Sequence, residues 1–198
     1  MRGTEEPEML DRRQVAGGTL AAIALGRAGL AAAAPADLGP AVGARAPDLG
    51  RPLDHSGKAR TLADLSGPKG TVLMFYRSAS WCPFCQAQLI EMNGVDEQIA
   101  AKGWGLVGVS YDTPAVLAEF VARRGISFAM VSDPQSAAIR RFGLLDPAYA
   151  PGHRAHGVPR PIILMVDRGG VVRGKLFEET YQKRPPSALV LQAIDRLG

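Results

Sequence analysis

The 198-residue sequence predicts an α/β fold: a mostly parallel central sheet with helices on both faces, closed by a C-terminal hairpin and helix. Three observations carry that expectation. Short, continuous apolar runs alternate with segments whose apolar residues recur every three or four positions. The last strand-like run is followed by Arg168-Gly169-Gly170 and a second run, which marks a hairpin. A Cys-x-x-Cys, Cys82 to Cys85, stands where the first buried strand gives way to a helix.

The elements follow in order. Residues 42–65 are rich in Gly, Pro and Asp and read as a loop with a hairpin around His55-Ser56-Gly57. Residues 71–76 (TVLMFY) are short and apolar throughout, as in a strand buried on both faces. From Cys82 onward, Cys85, Leu89, Met92, Val95 and Ile99 share one helical face, and Gly103 ends the helix. Residues 104–110 form a second buried strand. Asp112-Thr113-Pro114 is a helix start, with Val116, Leu117, Phe120 and Val121 facing inward. Residues 127–133 give a third strand, and Asp133-Pro134 opens a short helix that Gly143 ends. Residues 161–167 form a fourth strand, and residues 171–177 return antiparallel to it. Pro186-Ser187 opens the last helix, whose inner face is expected to be Leu189, Ala193, Ile194 and Leu197.

This pattern assigns residues 42–198 to one domain. Residues 1–36 differ from it. They carry paired arginines, Arg12 and Arg13, then a weakly apolar Ala/Gly/Leu stretch, then Ala34 and Ala36 in an A-x-A arrangement. That is the layout of an export signal of the twin-arginine kind. It implies a periplasmic or other extracytoplasmic location. The alternative is a disordered tail on a cytoplasmic protein. The net charge of +4 is scattered with no run of five like charges, so nucleic acid is not an expected partner. No apolar run reaches the roughly 18 to 20 residues of a membrane span, so stable membrane insertion is not expected either.

Alternating strands and helices with a Cys-x-x-Cys after the first buried strand describe a thioredoxin-like fold. In that setting two thiols sit within one helical turn, close enough to form a disulfide. The helix N-terminus offers free N–H groups and a partial positive charge, which favour a thiolate. Cys82 is therefore the expected nucleophile and Cys85 the resolving thiol. Pro83 suits the first helical turn, where no N–H is required. Trp81 supplies an apolar shoulder. A bridge closing so small a loop would restrain the unfolded chain little, which argues for redox work over stapling. Pro161, ahead of Ile162, is the candidate cis-proline, with Pro159 the other choice.

The stretches VGARAPDL, VLMFYRSASWCPFCQAQL, SYDTPAVLAEF, SFAMVSDP and HGVPRPIILMVDRGGVVR resemble the redoxin family, the alkyl hydroperoxide reductase/thiol-specific antioxidant group. The likeness runs from about residue 42 to the C-terminus. It implies a thioredoxin-like fold and a peroxiredoxin-like antioxidant activity that reduces hydroperoxides, with no cofactor. The alternative it leaves open is thiol-disulfide exchange on protein disulfides. Either cycle needs an external thiol reductant such as a thioredoxin-like donor. A homodimer is a further expectation, since redoxins often pair. The family's Pro and Thr/Ser, seven and three residues before the peroxidatic cysteine, are replaced here. Counting from Cys85 gives Ser78 and Cys82; counting from Cys82 gives Phe75 and Ala79. Alignment puts the peroxidatic position at Cys85, while helix electrostatics put the attack at Cys82. Arg77 and Arg160 are the candidates for the arginine that peroxiredoxins use to polarise the peroxide. A less favoured reading joins Cys82 and Cys85 to His153 and His156 as a metal module. The Pro/Gly-rich loop that carries these histidines is also placed to gate the thiols.

Overall fold

In the computed structural model, which describes residues 37–198, six strands form one sheet among the described residues. They are β1 (Leu53–Asp54), β2 (Gly70–Phe75), β3 (Trp104–Ser110), β4 (Ala129–Ser132), β5 (Ile162–Asp167) and β6 (Val172–Leu176). Their spatial order is β1-β4-β3-β2-β5-β6. The helices are α1 (Pro83–Asn93), α2 (Asp96–Ala101), α3 (Pro114–Arg124), α4 (Ala137–Arg141) and α5 (Ser187–Arg196). The export-signal reading of residues 1–36 lies outside the described residues.

All six residues of β2 are buried because the strand is covered on both faces. Val72, Met74 and Tyr76 enter one core, shared with Leu89, Met92, Leu117, Phe120, Val190 and Ile194. Leu73 and Phe75 enter the other, with Val107, Val109, Ile139, Phe142 and Leu164. The alternation follows the two-residue period of a strand. Gly108 of β3 keeps the first core open: a β-carbon there would sit 3.1 Å from the Tyr76 ring.

The parallel expectation holds for the centre of the sheet. β2 pairs parallel with β3, and β3 with β4. The flanks are antiparallel: β5 against β2, β6 against β5, and β1 against β4. The predicted hairpin around His55-Ser56-Gly57 shrinks to two-residue β1, which bridges Ala59 through Leu53 and takes β4 as its strand partner.

Three helices depart from the sequence reading in detail. The single helix expected from Cys82 to Gly103 breaks at Gly94–Val95. Asn93 and Gly94 are weak helix formers, and Asn93 turns its side chain outward to Ser127 N and Gly125 O. Asp96 and Glu97 then favour a new N-terminus. α4 starts at Ala137, later than Asp133-Pro134, because the Asp133 carboxylate accepts from Ala137 N and Ile139 N, both at 2.8 Å. α5 buries Val190 and Ile194, and Leu189 of the expected inner face is 40% exposed. Ser187 N–H donates to Glu91 Oε1 of α1 at 2.6 Å, which sets the rotation of α5.

Asp54 ties the β1 turn together. Its buried carboxylate accepts from Ser56 N, Ser56 Oγ, Lys58 N and Arg60 Nε. Burial pushes its pKa up, but these four donors outweigh burial and hold it well below the ordinary 3.8. A depressed carboxylate contributes stability above its ordinary pKa and loses it as pH falls. Asp54→Asn should therefore cost about 1–3 kcal/mol at pH 7. The gap from the parent should shrink at pH below 3.8, as read by urea denaturation at the two pH values.

Candidate active site

The chain leaves β2 through residues 76–81, buried as far as Ala79, and enters α1 at Cys82. Cys82 is the N-cap, with extended backbone, and Pro83 opens the helix. The Cys85 N–H donates to Cys82 Sγ at 3.3 Å. The two cysteines are joined in a disulfide, with Cα atoms 5.2 Å apart. Both are buried, yet their surroundings differ. Cys82 borders a cleft of about 430 Å³ lined also by Trp81, Pro83, Phe84, Tyr149, His153, Arg154 and Tyr181. Cys85 is not part of that lining and packs in the core with Leu89 and Met92.

The loop is held from behind. The buried Asp112 carboxylate accepts from Ser78 Oγ at 2.8 Å, Ala79 N at 2.7 Å and Ser110 Oγ at 2.9 Å. Burial raises its pKa, and these three donors oppose the rise. Gln86 Nε2 ties the carbonyls of Ala79 and Ser80 back to the first turn of α1. Trp81 Nε1 donates to Tyr111 OH at 2.9 Å. The helix start expected at Asp112-Thr113-Pro114 is realised by Thr113, whose hydroxyl accepts from Val116 N. Asp112 is thereby left to serve the loop.

Arg77 is 3% exposed. Its guanidinium lies 3.9 Å from the Tyr181 ring centroid and 5.1 Å from those of Trp81 and Tyr149, and it donates to Tyr149 OH. A second arginine reaches the sulfurs from the far end of the chain: Arg184 Nη2 donates to Cys85 Sγ at 3.4 Å. Burial, and then the charge of Arg77, push its pKa down to about 10, so it stays cationic at neutral pH. Among the described residues neither arginine has an ion-pair partner.

The predicted site residues thus divide. Arg77, Trp81 and Pro83 share the cleft with Cys82. Arg160 and Pro161 line an adjoining cleft of about 630 Å³, separated from the first by Tyr149 and Tyr181, which border both. His153 faces the Cys82 cleft, while Nδ1 of His156 lies against the Tyr149 carbonyl at 2.8 Å. No cluster of three or more metal-ligating side chains occurs among the described residues. Tyr149, His153, Arg154 and Ala155 form one wall of the cleft. Sequence reasoning missed Arg184, Tyr149, Tyr181 and Arg154. Arg184 lies 99 residues from Cys85, in a loop with no local pattern to mark it.

The sequence pattern of the AhpC/TSA family matches residues 42–175. The chain belongs to the AhpC/TSA family. Among curated members, peroxiredoxin Bcp of Xanthomonas campestris is 28% identical over 122 residues, covering 62% of this chain and 76% of the relative. Peroxiredoxin Bcp of Escherichia coli is 25% identical over 119 residues, covering 60% and 74%. The fold superposes on peroxidoxin BcpB of Mycobacterium tuberculosis with a TM-score of 0.70 at 20% identity, over 82% of this chain and 99% of that one. This AhpC/TSA chain is a thiol oxidoreductase with a thioredoxin-like fold.

Arg184 has a measurable consequence for this AhpC/TSA protein. A cation beside a buried sulfur favours the thiolate against desolvation. In a Cys82→Ser background, Arg184→Met should raise the Cys85 thiol pKa by about one unit or more. The pH profile of iodoacetamide alkylation measures it, and an unmoved profile would show that Arg184 does not act on Cys85.

Proposed function

We propose that the protein reduces hydroperoxides through a Cys82/Cys85 dithiol–disulfide cycle. The observation that carries this reading is the Cys82–Cys85 disulfide at the N-terminus of α1, with Cys82 bordering an open cleft, in an AhpC/TSA chain. The curated relatives named peroxiredoxin support hydroperoxide as the oxidant.

Cys82 is the attacking sulfur in this cycle. It receives an N–H from the helix end and borders the cleft, and Cys85 does not border it. The Cys82 thiolate attacks one oxygen of the O–O bond. That bond breaks, the alkoxide takes a proton to leave as an alcohol, and Cys82 becomes a sulfenic acid. The Cys85 thiolate then attacks the sulfenic sulfur. Hydroxide leaves and is protonated to water, and the disulfide forms. Arg184, 3.4 Å from Cys85 Sγ, sets a cation beside the sulfur that makes this attack. A dithiol donor of the thioredoxin kind restores both thiols by exchange through a mixed disulfide and is itself oxidised.

Stopped-flow oxidation of the reduced protein by hydrogen peroxide tests the roles. Cys85→Ser should still react rapidly and stop at the sulfenic acid. Cys82→Ser should lose the reaction by about a thousandfold or more, as loss of a nucleophile does. The opposite pattern would make Cys85 the attacker. A protein that loses thiols only to an oxidised partner protein would not be a peroxidase.

Export belongs to the same reading, on the strength of Arg12, Arg13, Ala34 and Ala36. Expressed in a host with a twin-arginine pathway, the protein should appear in the periplasm beginning at Asp37. Recovery from the cytoplasm with residues 1–36 intact would exclude this.

A further inference from the structure

The cleft beside Cys82 carries more positive charge than one thiolate and hydrogen peroxide call for. Arg77, His153 and Arg154 line it, together with the rings of Trp81, Phe84, Tyr149 and Tyr181, and no acidic side chain does. Arg77 is buried, and its Nε has no hydrogen-bond partner among the described residues. Such a cation is costly unless an anion meets it. The Cys85 thiolate is the natural partner of Arg184, which touches that sulfur. In the same cleft the Cys82 thiolate is the natural partner of Arg77, which leaves Arg154 unmatched on the cleft side. Arg154 is exposed at the mouth, 5.9 Å from the Trp81 ring centroid, free to swing onto a ligand. Beyond Tyr149 and Tyr181 the adjoining cleft carries Asp146, Glu178 and Glu179 against the single cation of Arg160. An anion is thus favoured on the Cys82 side and disfavoured on the other.

We propose that the preferred oxidant is an organic hydroperoxide that carries a carboxylate on an apolar, ring-sized body. The volume of about 430 Å³ suits a small organic molecule. The rings of Trp81, Tyr149 and Tyr181 pack its body, Arg154 takes its carboxylate, and its O–O bond lies at Cys82 beside Arg77. The carboxylate is a spectator: oxygen transfer to Cys82 and loss of the alcohol proceed as in the cycle above, on which this inference rests.

Cumene hydroperoxide and its para-carboxylate differ in that charge alone. The prereduced protein is mixed with each, and disulfide formation is followed by thiol titration in a quenched-flow series. The carboxylate should react about tenfold faster, the value of one charge-assisted hydrogen bond. The ratio should fall toward one in Arg154→Gln and at high salt. Equal rates in the parent protein, or a preference that survives Arg154→Gln, would overturn the proposal. If neither hydroperoxide oxidises the thiols, the peroxidase reading itself fails and this inference with it.

Discussion

The buried carboxylate of Asp112 is the contact on which the site depends. The loop from β2 to α1 must cross from sheet to helix inside the protein, where backbone and hydroxyl groups have no water to turn to. Asp112 satisfies Ala79 N, Ser78 Oγ and Ser110 Oγ at once. Ser78 Oγ in turn accepts from Ser80 N at 3.0 Å. With the loop held this way, Cys82 arrives at the N-cap and the sulfur receives the Cys85 N–H. The helix end and the cleft wall then both act on one atom.

That network also accounts for a departure from the family pattern. Ser78 and Cys82 stand seven and three residues before Cys85, where peroxiredoxins carry Pro and Thr or Ser. Neither position is idle. Ser78 has become a strut of the loop, bonded to Asp112. Cys82 has become the cap of α1 and the partner of Cys85. The chain keeps the family's architecture and gives both positions structural work within the loop and the first turn of α1.

The second physical theme is cationic charge without fixed acidic partners. Arg77 is buried and Arg184 partly so; burial first, and then the charge of Arg77, depress the Arg184 pKa. Aromatic faces offset part of the cost for Arg77. For Arg184 the compensation changes with redox state: beside a disulfide its charge faces a neutral sulfur, and beside a thiolate it faces a full negative charge.

The sequence alone determined the order of the main strands and helices and the place of the cysteine pair between β2 and α1. Five apolar residues, Val72 to Tyr76, after Gly70 and Thr71 read as a strand covered twice, and Cys82-Pro83 at its far side reads as a helix start because capping is local. Both signals span fewer than about ten residues, so no distant partner is needed to read them. The tertiary structure decided the rest. The antiparallel direction of β5, the rotation of α5 that buries Val190 in place of Leu189, and the cleft itself are set by contacts between remote segments. Tyr149, Arg154, Tyr181 and Arg184 come from two loops with no periodicity of their own. Only packing against the sheet brings those loops beside Cys82 and Cys85, and non-local packing leaves no mark in the spacing of neighbouring residues.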